Sequence, residues 1–309
     1  MAGEVAARPA TAGRTGWLLG SGATLIVCWW ALWTLRTYWN PAFFFGLWTG
    51  AIVFVRTLAG DEPMPWRRHL ALSALSIPLW WWFELVNEWV DNWTYHNHVQ
   101  YNDLEYTLFA TLAFSTVVPA LDAACRLAFR LLPGTGKPGP YDPVGARSPR
   151  PGGWLALELA AGLIAQALII AIPTIFYPLV WVAPFLVLDA LVAMRGGANL
   201  MTLIARRRLA LPIAVALAGV GCGFCWELWN VGASPKWTYD IPYVGFLKVF
   251  EMPILGYGGY VPFAWSVYQL VHLVSSFGFP VSGGQQANSK PETRNPKLGA
   301  GSGGAGARP

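Results

Sequence analysis

The chain has 309 residues, of which 55% are hydrophobic and only 12% are charged, whereas a soluble globular domain carries about 25% charged residues. With a mean hydropathy of +0.41, the composition excludes a water-soluble enzyme, because a folded chain of this length needs a polar exterior. The net charge is +5, and the charged residues lie in loops between apolar runs. This distribution argues against a nucleic-acid partner and instead indicates how the chain is oriented in a membrane.

Eight apolar runs predict an all-α integral membrane protein with about eight transmembrane helices, because roughly 17 to 25 apolar residues cross the hydrocarbon core. The runs cover approximately residues 17–36, 42–59, 69–90, 104–131, 154–174, 177–194, 209–230 and 247–276. Such a protein contacts membrane lipids along most of its surface.

A Gly/Pro-rich stretch divides the apolar runs into two groups of four. We therefore expect a first four-helix repeat at 1–131, a cytoplasmic linker at 132–153 and a second four-helix repeat at 154–278. The remaining residues, 279–309, have the composition of a disordered C-terminal tail.

The basic residues predict the orientation. With the N-terminus inside, all but three of the 21 Lys and Arg residues fall in cytoplasmic segments, and the exceptions are Arg36, Lys236 and Lys248. The positive-inside rule then places both termini in the cytoplasm.

The two groups of runs resemble each other. The segment from Glu84 to Tyr95 matches the segment from Glu227 to Tyr239 with a single gap, and residues 41–60 align without gaps on 178–197. Four helices per copy is an even number, so the repeats are expected to be parallel and related by an axis along the membrane normal. The matched polar residues lie at the outer ends of the third and seventh helices, which predicts a site near the outer face.

Three carboxylates are the candidate catalytic residues of this site, namely Glu84, Glu227 and Glu251. Acidic groups at membrane depth usually face the bundle interior or a cavity, although Glu84 and Glu227 could instead hydrogen-bond Asn and Trp partners and hold the halves together. Glu251 is expected to open the eighth helix beside Pro253, where glycines and prolines break the helix, and Glu105 falls at the equivalent place in the first copy. The predicted substrate-binding residues are Asn87, Trp93, Tyr95, Glu105, Trp226, Asn230, Trp237 and Tyr239.

A purely structural interpretation of the paired aromatic residues is that they form an interfacial belt and anchor loops. His96 and His98 have the spacing of metal ligands, yet histidines in loops are commonly only solvated. We predict no metal site and no cofactor.

The order of these motifs resembles the lycopene cyclase domain family of membrane carotenoid and terpenoid cyclases. An acid at a helix end is followed by Trp237-x-Tyr239, then Gly245, then Glu251 beside Pro253, and Trp93, Tyr95 and Glu105 occupy the corresponding places in the first copy. That family is also duplicated, although it places its proline before two acids. The resemblance implies an enzyme that cyclises a linear isoprenoid.

Cyclisation of a polyene begins with protonation of a carbon–carbon double bond, which requires a protonated carboxylic acid in an apolar, aromatic pocket. The same residues would equally serve a non-enzymatic protein that binds an isoprenoid, a pigment or a lipid, or that stabilises a complex with a membrane-protein partner. A small transporter is the third alternative, since repeats and a broken helix are typical of transporters. Converging buried acids would favour the enzyme, and a groove without them would favour the binding protein.

Overall fold

A computed structural model of the chain describes residues 10–61, 64–98, 100–134, 152–197 and 199–277. Most of the predicted linker and the whole predicted C-terminal tail lie outside these residues. The described part is mostly helical. Its α-helices are α1 (Ala10–Thr34), α2 (Asn40–Leu58), α3 (Trp66–Val90), α4 (Asp103–Phe114), α5 (Val117–Leu131), α6 (Gly152–Ala171), α7 (Pro173–Phe176), α8 (Leu179–Met194), α9 (Leu200–Ala205), α10 (Ala210–Val231) and α11 (Tyr260–Ser275). The strands are β1 (Trp93–His96), β2 (Lys236–Tyr239), β3 (Lys248–Val249) and β4 (Met252–Pro253).

Within the described residues, five helical segments are long and apolar enough to cross a membrane. They are Gly13–Thr34, Asn40–Leu58, Asp103–Leu131, Gly152–Ala171 and Ala210–Val231. The third of these contains both α4 and α5. The helices α8 and α11 have 16 residues each, and α3 is long enough but carries charged and polar residues near both ends.

The last predicted run is not one helix. Residues 247–276 begin with the antiparallel hairpin β3–β4 and a 3₁₀ helix at Ile254–Gly259, and α11 starts only at Tyr260. Leu247 and Phe250 have positive φ values of 50° and 59°, a backbone conformation that no α-helix contains. The expectation that Glu251 opens a helix is therefore wrong, since this residue lies in the turn of the hairpin.

Helix contacts follow the same scheme in both parts of the chain. In the first part of the chain, α1 packs on α2, and both α2 and α3 pack on α5. In the second part, α6 packs in the same way on α8, and both α8 and α10 pack on α11. Contacts between α5 and α10 join the two groups. Buried apolar side chains from α3, α5, α8, α10 and α11 form the larger core, and a smaller one lies between α1, α2, α5 and α10.

The strands β1 and β2 pair antiparallel with Thr94 opposite Thr238. In this register Trp93 lies opposite Tyr239, and Tyr95 lies opposite Trp237. The two matching Trp-Thr-Tyr segments are thus each other's pairing partners, although they lie far apart in the chain.

A buried ionic cluster ties α2, α3 and α5 together at the other end of these helices. The Asp122 carboxylate is fully buried and accepts hydrogen bonds from Arg68 at 2.7 and 2.8 Å, from Arg56 at 2.9 Å and from Arg126 at 3.2 Å. Arg126 also bridges to Asp61 at 2.9 Å. Three guanidinium groups and two carboxylates compensate one another where none could be buried alone.

Candidate functional site

Glu84 lies in the last third of α3, beneath strand β1. Its carboxylate accepts hydrogen bonds from the Tyr95 hydroxyl at 2.6 Å, from the Trp80 indole at 2.7 Å and from the Trp93 indole at 3.3 Å. Trp80 precedes Glu84 by one helical turn, so the two side chains share a face of α3. The strand supplies the other two donors from above.

Glu227 has the equivalent position on α10 and is fully buried. Its Oε1 accepts hydrogen bonds from the hydroxyls of Tyr239 and Tyr260, both at 2.7 Å, and the Trp237 indole donates to the Tyr239 oxygen at 2.8 Å. The Oε2 atom has no hydrogen-bond partner among the described residues. Each glutamate therefore receives the hydroxyl of the tyrosine that lies eleven or twelve residues after it.

Two asparagines hold the strands over the glutamates. The Asn87 amide donates to the Trp93 carbonyl at 2.8 Å, and its oxygen accepts from the Asn92 amide at 2.9 Å. Asn230 is fully buried and bonds both backbone groups of Trp237, at 2.7 and 2.9 Å. Neither asparagine lines the cavity described next, so their contacts are those of positioning residues.

An aromatic cavity of about 130 Å³, here called the outer cavity, lies between the two strands and the helix ends around them. Its wall is almost wholly apolar. The carboxylates of Glu84 and Glu227 are not part of the wall; they lie behind it and bond the aromatic residues that form it. The lining includes Phe44, Trp80, Trp93, Tyr95, Tyr106, Phe114, Trp181, Trp226, Trp237, Tyr239, Tyr260 and Phe263.

Ring contacts around the outer cavity cross between the two parts of the chain. Trp80 on α3 stacks on Trp226 on α10, with 4.8 Å between ring centroids. Trp181 on α8 stacks on Trp93 at 6.1 Å, and Phe44 on α2 packs against Trp237 at 6.0 Å. Rings of this kind present their electron-rich faces to whatever occupies the space between them.

The two tyrosines on the strands remain neutral donors. Burial raises the pKa of Tyr95 well above its usual range, and the adjacent Glu84 raises it further. Burial likewise raises the pKa of Tyr239, with Tyr260 and Glu227 adding to the effect. Both hydroxyls therefore keep their protons across the physiological pH range.

The other two acidic candidates lie outside the outer cavity. Glu251 forms an ion pair with Lys236, with 2.5 Å between Oε1 and Nζ. Glu105 belongs to a capping box, in which its carboxylate accepts from the Asn102 amide at 3.0 Å. The Glu105 carboxylate also accepts a hydrogen bond from the Tyr38 hydroxyl, and this bond raises the pKa of Tyr38. Both carboxylates are thus engaged by local partners.

The histidine pair does not converge on one point. The His96 ring nitrogen Nε2 lies 2.7 Å from the Thr238 hydroxyl, while the His98 ring packs against Tyr106. Among the residues that the structure describes, no group of three or more His, Cys, Asp or Glu side chains could hold a metal ion.

Several wall residues were not among the sequence candidates. Trp80 could have been found from its position four residues before Glu84, and Trp181 and Phe44 occupy matched positions in the ungapped alignment of 41–60 with 178–197. Tyr260 gave no signal, because the corresponding position in the first copy is not a tyrosine. Five of the eight predicted substrate-binding residues, the aromatic ones, line the outer cavity.

No protein-family model, curated protein or solved structure matches this chain. The resemblance to the lycopene cyclase domain therefore stays a prediction that rests on short motifs, and the site has to be interpreted from its own geometry.

Proposed function

We propose that the protein is a membrane-embedded, cyclase-like enzyme that protonates and cyclises a linear isoprenoid in the outer cavity. The observation that carries this proposal is the pair of carboxyls, Glu227 fully buried and Glu84 partly buried, each hydrogen-bonded to a tyrosine in an aromatic wall. An isoprenoid is apolar enough to reach such a site from the bilayer, and protonation of its double bond requires an acid that is shielded from water.

In the proposed reaction a protonated Glu84 or Glu227 is the proton source, and Tyr95 or Tyr239 connects it to the cavity. The tyrosine hydroxyl delivers its proton to one carbon of the double bond and receives the proton of the carboxyl. The double-bond electron pair forms the new C–H bond and leaves a carbocation on the neighbouring carbon. A second double bond attacks the cation to close the ring and leaves a cation on a further carbon. A C–H bond beside that carbon gives its proton to the tyrosine oxygen while its electron pair forms a double bond, and the tyrosine returns its own proton to the carboxylate, which restores the acid.

The aromatic wall has two tasks in this scheme. It excludes water, which would trap the carbocation as an alcohol, and its ring faces stabilise the cation by about 0.5 to 2 kcal/mol per contact. In this proposal Glu251 is not a proton donor, because its carboxylate pairs with Lys236 and lies outside the outer cavity. Lys236 and Glu251 instead fix the β3–β4 hairpin beside strand β2.

The proposed architecture has eight membrane spans in two parallel repeats, with α3, α8 and α11 added to the five long apolar segments. The matching helix contacts in the two halves support it. So does the antiparallel β1–β2 register, because two identical segments paired through Thr94 and Thr238 are related by a local two-fold axis. We place both termini in the cytoplasm and the outer cavity on the opposite side, on the basis of the Lys and Arg distribution.

A non-enzymatic isoprenoid- or pigment-binding protein is the second candidate. The observation that favours it is the position of the carboxylates behind the wall, where a ligand contacts the tyrosines and tryptophans without contacting an acid. In that case the glutamates would serve only to orient the aromatic side chains.

Substitution of the glutamates separates the two candidates. Glutamine keeps the shape of the carboxyl but supplies no proton of comparable acidity, so Glu84→Gln or Glu227→Gln should lower turnover of a linear isoprenoid about a hundredfold or more. Glu88→Gln is the matched control, since Glu88 is exposed one turn further along α3. The measurement is product formation from a panel of linear isoprenoids in membranes with equal protein levels. Retention of an isoprenoid by the wild type without conversion of any panel member would favour the binding protein.

A further inference from the structure

A second and larger cavity continues along the same helices, away from the strands. It has a volume of about 420 Å³ and is here called the inner groove, lined by α2 between Trp48 and Val55, by α5 from Ala120 and by α10 between Leu217 and Trp229. Its wall holds aliphatic side chains, two tryptophans and two cysteine thiols. No charged residue of the described part of the chain lines it.

Small side chains face this space where they would ordinarily face another helix. Ala51, Ala120, Ala124 and Gly221 are among the lining residues, and small residues in membrane helices usually permit close helix packing. Here they border a void. An unfilled apolar void forfeits dispersion contacts, and water is a poor occupant because it needs polar partners. The chemistry of the wall therefore selects a hydrocarbon chain.

The inner groove and the outer cavity are neighbours along the same helices. The helix α2, the α4–α5 segment and α10 line both of them. Trp226 belongs to the wall of the outer cavity, whereas Trp48 and Trp229 belong to the wall of the inner groove. The Trp48 ring contacts the other two rings, with centroid distances of 5.6 Å to Trp226 and 4.6 Å to Trp229. These three indoles are the partition between the two spaces.

The partition is held by packing and not by hydrogen bonds from its inner rings. Within the described part of the chain, the indole nitrogens of Trp48 and Trp229 are buried without a hydrogen-bond partner. In contrast, Trp80 and Trp93 both donate to Glu84. A rotamer change of Trp48 therefore breaks no side-chain hydrogen bond within the described part of the chain.

We infer that the inner groove holds the hydrocarbon tail of the same linear molecule whose reacting end occupies the outer cavity, an inference that rests on the proposed function. Pro41 borders the outer cavity and Val55 borders the groove, and along α2 they are about 21 Å apart at 1.5 Å per residue. The ligand is thus a chain that spans about two thirds of the 30 Å hydrocarbon core. Leu131 and Leu217, on the groove margin, are more than half exposed and allow the tail to enter from the bilayer.

Gly221 provides a test because it can be enlarged without a clash. A Cβ added there meets nothing within 4 Å, whereas one at Gly219 or Gly223 would collide with Tyr260. The variant Gly221→Leu therefore fills the groove in a folded protein. Gly20→Leu is the matched control, since Gly20 is also a helical glycine with open space around it but does not line the groove.

The probes are a short and a long linear polyprenyl alcohol, each with a diazirine at its methyl end, titrated against the full chain in phosphatidylcholine nanodiscs. In the wild type, the long probe should cross-link to α5 and α10 beside the groove, and the short probe should cross-link to residues of the outer cavity. Gly221→Leu should weaken labelling by the long probe about tenfold, the scale on which one steric misfit in an apolar pocket acts. It should leave the short probe within twofold, and Gly20→Leu should change neither.

Each other result overturns the inference in a recognisable way. If both probes label the outer cavity and Gly221→Leu does not weaken the long one, the groove is not the tail site, although the proposed function stands. If an excess of the short probe at the outer cavity does not reduce labelling of the groove by the long probe, the groove holds an independent bilayer chain. If neither probe labels the outer cavity, the proposed function fails together with the inference.

Discussion

Asn87 and Asn230 decide where the aromatic strands lie over the two glutamates. Asn230 is fully buried and bonds both backbone groups of Trp237, whereas Asn87 is only partly buried. Asn230→Ala leaves a buried donor and a buried acceptor unpaired and should cost about 2 to 4 kcal/mol of unfolding free energy. Asn87→Ala should cost less, because water can replace part of what is lost. Denaturant unfolding in detergent measures both, and equal losses would contradict the assigned difference in burial.

Asp122 is the charge on which three arginines depend. Asp122→Asn keeps the volume but removes the carboxylate charge that Arg56, Arg68 and Arg126 share. An uncompensated buried charge costs about 3 to 5 kcal/mol, so this variant should unfold at a much lower denaturant concentration. Asp61→Asn is the comparison, since its side chain is 19% exposed and bridges only two arginines. A milder effect of Asp122→Asn than of Asp61→Asn would show that the cluster is arranged differently.

The pairing of β1 with β2 is the element that joins the two halves at the site. Thr94 and Thr238 lie directly opposite each other, and side chains at such positions have Cβ atoms about 4.5 to 5.5 Å apart. Thr94→Cys with Thr238→Cys should therefore form a disulfide under mild oxidation, detectable as a mobility shift that reductant reverses. Thr94→Cys with Lys236→Cys is the control, because these positions are two residues out of register. Cross-linking of the control pair in preference to the first would indicate a slipped register.

The proposed orientation of the whole molecule rests on where its basic residues fall, and it can be measured directly. A cysteine at Asn97, in the exposed turn after β1, should react with a membrane-impermeant thiol reagent in intact cells. A cysteine at Ser148, in the basic linker, should react only after the cells are permeabilised. The parent chain supplies the background, since its four cysteines lie in α1, α5 and α10. The reverse labelling pattern would place the site on the cytoplasmic face.

Much of the site could be predicted from the sequence because the duplicated motif is local. Glu84 and Glu227 each lie eleven or twelve residues before their tyrosine, and the intervening helix end and turn bring the two side chains together in both copies. The equal spacing of Glu, Asn, Trp and Tyr was therefore a sufficient signal for the pairs within each copy. The aromatic members of that motif line the outer cavity, and their role as substrate-binding residues stays a prediction.

The predicted roles of Glu251 and Glu105 depended on the local secondary structure around them, which is set by turns and by contacts with nearby residues. Apolar content alone predicts that the last helix begins at residue 247. Pro253 and the following glycines instead favour a hairpin and a 3₁₀ helix before α11. Glu251 then meets Lys236 on β2, fifteen residues away, and Glu105 closes a capping box with Asn102. Tyr260 could not be predicted, because its contact with Glu227 depends on how α11 packs against α10.

The amino-acid sequence alone shows that this chain is a largely helical, membrane-type protein and that two similar polar motifs recur in it. Those properties are sums over neighbouring residues, so composition and spacing carry them. The folded structure adds that the two motifs pair as antiparallel strands, that the glutamates lie behind the aromatic wall and that an apolar groove lies beside Trp48. These features depend on the packing of α2, α5 and α10, which brings together residues far apart in the chain, such as Trp48 and Trp229. No local pattern encodes contacts at such separations.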